Sequence, residues 1–115
     1  MLLDPKPGEV WLVDFEPSVG SEIYKRRPAV VISVSGYTNL PLRIVVPIRG
    51  HSDEKRLSWL VPLKKDAKNK LTKDSVVDAS QVHSFDLDRF ITKIGFLTTS
   101  QVLEIRNAVA LCIGV

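Results

Sequence analysis

The chain has 115 residues, 44% of them hydrophobic and 25% charged, with 16 basic against 13 acidic side chains for a formal charge of +3. That length fits one domain over residues 1–115 with enough chain to bury a core, and the composition excludes wholesale disorder. The lone Cys112 excludes an intramolecular disulfide and a cysteine-based metal cluster, no apolar run reaches membrane-spanning length, and Asp4-Pro5 comes too early for a secretory leader. A cytoplasmic protein without membrane contact is the expectation.

Prolines and glycines punctuate short apolar runs, as in small β-barrels. Pro7-Gly8 turns into a strand over Glu9–Phe15, where Trp11, Val13 and Phe15 alternate with Val10, Leu12 and Asp14. Glu16–Arg27 reads as a long exposed loop ending in the cations Lys25-Arg26-Arg27. Pro28 opens a β-branched run to Val34, suited to a strand buried on both faces. A third strand follows over Leu42–Ile48, then a charged loop over Gly50–Arg56 and a fourth strand over Leu57–Leu63.

Lys64–Asp74, with five lysines, reads as a mobile basic hairpin. Ser75–Phe85 reads as a fifth strand, Asp86–Phe90 as a helical turn and Ile91–Leu97 as a short strand. Thr98-Thr99-Ser100-Gln101 has the form of a capping box, and Val102, Ile105, Val109 and Ile113 follow at near-helical spacing. The expected architecture is mainly β with a C-terminal helix: a twisted antiparallel barrel closed or covered by that helix.

Three segments in order carry a family resemblance: Pro7-Gly8-Glu9-Val10-Trp11 running to Phe15, Pro17-Ser18-Val19-Gly20-Ser21-Glu22, and Arg27-Pro28-Ala29-Val30-Val31-Ile32-Ser33. Leu40–Ile48, Val77–Gln81, Asp88-Arg89-Phe90 and Leu111–Gly114 extend the likeness over nearly the whole chain. Together they resemble the MazF/PemK toxins, the endoribonuclease halves of bacterial toxin–antitoxin pairs. The resemblance implies an SH3-like barrel shared with Kid and CcdB and a homodimer with single-stranded RNA along its groove. It also implies cleavage without a metal or other cofactor, and a MazE-like antitoxin whose disordered acidic tail occupies the groove.

Such cleavage uses the substrate's own 2′-hydroxyl as nucleophile. The protein must accept that proton, stabilise charge on the phosphorane and protonate the leaving 5′-oxygen. Arg27 occupies the family's catalytic arginine position, where a planar guanidinium can grip two phosphate oxygens. Glu22 matches the loop glutamate, placed to orient Arg27 or to accept the proton. Arg49 stands where the family usually has a threonine or serine hydroxyl, after Pro47-Ile48. Its guanidinium either strengthens charge stabilisation or displaces the phosphate. The second outcome would leave an RNA-groove binder or a protein-directed, gyrase-poison-like module.

His51 is a candidate replacement acid or base. Lys25, Arg26, Gln81 and His83 are candidate RNA contacts, Trp11 is expected in the core, and Trp59 is open between core and base stacking. The two histidines match no metal-ligand spacing.

Overall fold

The computed structural model describes residues 3–50 and 57–115. Seven strands and one helix follow in chain order: β1 (Glu9–Asp14), β2 (Arg26–Val31), β3 (Leu42–Gly50), β4 (Leu60–Leu63), β5 (Ser75–Asp78), β6 (His83–Asp86), β7 (Phe90–Phe96) and α1 (Thr99–Ile113). Single 3-10 turns lie at Ala79–Gln81 and Leu87–Arg89. The pairing path is β4-β5-β3-β2-β1-β7, with β6 also on β3, and among the described residues every ladder is antiparallel. The expected mainly-β architecture with a C-terminal helix is present. The expected barrel closure is not: among the described residues no ladder joins β4 to β7.

Alternation along the strands divides the core in two. Val10, Val30, Val46 and Ile48 pack on one side with Val61, Val77 and the helix residues Val102, Ile105 and Ala108. Trp11, Val13, Phe15, Ala29, Val31 and Val45 pack on the other with Ile23 and Phe90. Side chains two apart share a face, so β2 is buried on both sides as its uninterrupted apolar run requires. Trp11 lies in the core, its ring edge-on to Phe90 at 5.9 Å. Trp59 packs, partly buried, against the helix-side core.

The helix begins at the predicted capping box. The Thr98 hydroxyl accepts from the Gln101 N–H and the Gln101 side chain accepts from the Thr98 N–H, a motif worth about 1 kcal/mol. It ends at Gly114 in the left-handed conformation. The buried stripe is Val102, Ile105 and Ala108, with Val109 partly buried. Ile113, expected on that stripe, is 65% exposed in the last turn. No helix is long and apolar enough to cross a membrane among the described residues.

Two further expectations are corrected. The second strand begins at Arg26 rather than Pro28, because Arg26 and Arg27 pair with Asp14 and Val13 of β1. The ladder from β2 to β3 starts only at Ala29, so the missing N–H of Pro28 falls before it. The single strand expected over Ser75–Phe85 is broken by the Ala79–Gln81 turn. β5 pairs with Ile48–Gly50 of β3 and β6 with Leu42–Val45, leaving Val46 and Pro47 facing the turn. Pro47 lies in the gap between those two ladders, where a strand interior tolerates proline.

The segment expected as a mobile hairpin is instead pinned around Asn69, which is 1% exposed. Its side-chain oxygen accepts from the N–H groups of Asp66 and Leu71, and its amide donates to the Lys64 carbonyl at 2.8 Å. The Lys68 carbonyl accepts from the Phe96 N–H, and a Cβ on Gly95 would lie 2.4 Å from that same oxygen. Gly95→Ala therefore forces backbone apart from backbone, and a loss of about 1–3 kcal/mol is expected in urea unfolding.

A polar seam joins β1 to β7. Burial acts to raise the Glu9 pKa, but hydrogen bonds from Lys93, the Lys6 N–H and the Trp11 indole outweigh it and hold the carboxyl below its ordinary value of 4.5. A carboxylate held low adds stability above its ordinary pKa and loses it as pH falls through the folded value. The melting-temperature gap between wild type and Glu9→Gln is thus expected to be widest near neutrality and to shrink below about pH 4.5.

Candidate functional site

Pro47 stands opposite Ala29, which sets the ends of β2 and β3 that carry Arg27 and Arg49 side by side. Arg27 and Arg49 both line one concavity of about 310 Å³, together with Gly50, Ile94, Lys70 and Lys73. Among the described residues no carboxylate lines it. Four cationic side chains around one opening fit a ligand carrying several negative charges.

Arg27 is held by Tyr24: its Nε donates to the Tyr24 carbonyl at 3.2 Å, and its guanidinium lies 5.4 Å from the Tyr24 ring centre. The remaining guanidinium nitrogens keep the fork that grips a phosphate. Arg49 is paired with Asp78, Nε to Oδ2 at 3.9 Å. Asp78 is buried, and its other oxygen accepts from the Ser80 N–H at 3.1 Å and the Ser80 hydroxyl at 2.6 Å.

Among the described residues no hydrogen bond or ion pair joins Glu22 to Arg27: its carboxylate accepts from the Val19 N–H of its own loop at 2.7 Å, and it lines a separate concavity with Gln81 and His83. That turn satisfies the carboxylate locally and removes the reason to reach five residues onward. Gln81 serves as a staple: its side-chain oxygen accepts from the Ile23 N–H at 2.6 Å and its amide donates towards the Ser21 carbonyl at 3.3 Å. His83 Nδ1 lies 2.6 Å from the Gln81 carbonyl, and its ring packs at 4.6 Å from Phe85 and edge-on to Phe15.

Lys25, in the left-handed region at φ +66°, lies 5.1 Å from the Tyr24 ring, and its N–H donates to Glu16. Arg26 is exposed on β2. His51 lies outside the described residues.

Sequence reasoning missed the residues that hold the site. Tyr24 and Asp78 anchor the two arginines. Arg89 donates to the Asp14 and Glu16 carbonyls, fixing the start of the loop that leads to Arg27. Lys70 and Lys73 were visible only as members of a basic run. No local signal separates a solvated lysine from one that lines a concavity.

The fold is a β-rich frame backed by a terminal helix, with Arg27 and Arg49 at the adjoining ends of two central strands. A model of the PemK-like, MazF-like toxins of type II toxin–antitoxin systems matches residues 6–113. The endoribonuclease MazF of Staphylococcus saprophyticus is 33% identical over 108 residues, covering 93% of this chain and 89% of that protein. The same enzyme of Staphylococcus epidermidis is 34% identical over the same shares. Among solved structures, MazF from Deinococcus radiodurans superposes with a TM-score of 0.80 at 24% identity, covering all of both chains. A mycobacterial endoribonuclease in complex with its cognate antitoxin superposes with 0.75 at 17%, covering 97% of each. The chain belongs to the PemK-like, MazF-like toxin family.

The Gln81 staple generates a prediction. Gln81→Ala leaves the N–H of buried Ile23 without its partner, and a loss of about 1–3 kcal/mol is expected in urea unfolding, with faster proteolysis in the 16–25 loop.

Proposed function

We propose that the protein is an endoribonuclease toxin that cuts single-stranded RNA without a metal, the 2′-hydroxyl attacking the adjacent phosphorus. The observation that carries this is the convergence of Arg27 and Arg49 on one concavity, lined among the described residues by no carboxylate, in a family whose staphylococcal members are endoribonucleases. The phosphorane gathers negative charge as the 2′-oxygen bonds to phosphorus and the 5′-oxygen leaves. Two fixed guanidiniums stabilise that charge more than they stabilise the ground-state diester. As planar, delocalised cations they act by charge and bidentate hydrogen bonding rather than by proton transfer.

Arg49, in place of a hydroxyl, adds a full positive charge at this position, and its pairing with Asp78 keeps it on the strand end. The 2′,3′-cyclic phosphate and 5′-hydroxyl are the products of this chemistry. A homodimer with RNA lying along its groove is part of the reading. So is a cytoplasmic antitoxin partner whose acidic tail competes for the same cations; the mycobacterial relative with its cognate antitoxin and the MazE–MazF structures from Deinococcus radiodurans support that partner.

Primer extension on a long RNA treated with pure protein in chelator tests the activity and reads the cut sites together. Wild type is expected to cut at discrete positions. Arg27→Lys, which keeps the charge but not the fork, is expected to cut about 10²–10³-fold more slowly. RNA left intact by wild type but cut by Arg49→Thr would overturn the reading in favour of a binding module.

A further inference from the structure

The half of the concavity away from Arg27 is built by the Asn69-centred turn, and two features there exceed what packing requires. Lys70 holds φ +54°, the left-handed region where glycine or asparagine costs less than any long side chain. Its position lines the concavity, while Leu71 beside it packs against the helix-side core. Lys73 lies across Gly50: a Cβ on Gly50 would stand 2.8 Å from the Lys73 ammonium nitrogen and 2.9 Å from its Cε. Gly50 is the residue after Arg49 and pairs with Ser75, so the ammonium is laid over the end of the strand that carries Arg49. The lack of a side chain at residue 50 is what admits it.

We infer that Lys70 and Lys73 form a second phosphate subsite, holding a neighbouring phosphate of the same single strand while Arg27 and Arg49 hold the scissile one. This inference rests on the reading of the concavity as an RNA phosphate site. A flexible ammonium suits a phosphate that must be held but not shaped, whereas the planar guanidiniums suit the one whose geometry changes. The left-handed turn aims Lys70 at the concavity, and the bare Gly50 does the same for Lys73.

The test uses a mixed-sequence, fully 2′-O-methylated single-stranded oligoribonucleotide, which keeps every phosphate but has no nucleophile. Its affinity is titrated across salt. Each lysine that neutralises a phosphate adds about 0.7 to the slope of log K against log salt. Lys70→Gln and Lys73→Gln are each expected to lower the slope by about 0.7, and the double variant by about 1.4. Lys65→Gln, exposed outside the concavity, is expected to leave it unchanged. Lys70→Gly is expected to lose the same slope while its melting temperature holds or rises, an outcome that a purely structural Lys70 would not give.

Slopes unchanged in both single variants would overturn the subsite. So would a drop in Lys65→Gln equal to theirs, since that marks diffuse charge. If wild type cuts no RNA but the slopes fall as expected, the nuclease reading fails and the subsite stands. If wild type does not bind the oligonucleotide, both fail.

Discussion

The two oxygens of the Asp78 carboxylate divide the work on which the site depends. One takes the Ser80 N–H and hydroxyl, ending β5 and turning the chain through the 3-10 segment; the other faces Arg49. A carboxylate this buried is costly unless it is compensated, and here one oxygen accepts two hydrogen bonds from Ser80 while the other has the Arg49 guanidinium as an ion-pair partner at 3.9 Å. Because the chain turns there, β3 exchanges one neighbour for another at Pro47, and Gln81 emerges where its amide reaches the 21–23 backbone. One acidic side chain thus ties a strand break, a loop anchor and a functional cation together.

Bringing Arg27, Arg49 and two lysines to one opening stores like-charge repulsion, softened at each arginine by a local partner. Tyr24 offers Arg27 a carbonyl and a ring face; Asp78 offers Arg49 a carboxylate.

Much of the fold was legible because it is written in local periodicities. The two-residue alternation of Glu9–Phe15, the β-branched run after Pro28 and the capping box at Thr98 each specify an element by short-range physics. What escaped was decided at long range. The break at Ala79–Gln81 follows from competition between two ladders for one strand. The anchoring of Lys64–Asp74 follows from the burial of Asn69 beneath a run that looks solvated. Arg27 and Arg49 drew attention through the resemblance, as the residue before Pro28 and the one after Pro47-Ile48, and both line one concavity; the Glu22 carboxylate accepts from the Val19 N–H of its own loop. Lys70 and Lys73 needed the three-dimensional turn to separate them from their neighbours.

The division of the interior into two faces gives each indole its own surroundings. Trp11 reports on the layer containing Phe15 and Phe90, Trp59 on the layer beneath the helix. The chain has no other tryptophan. Replacing one at a time makes emission a private witness to each layer. Superimposable denaturation curves from the two witnesses mean that neither layer survives the loss of the other.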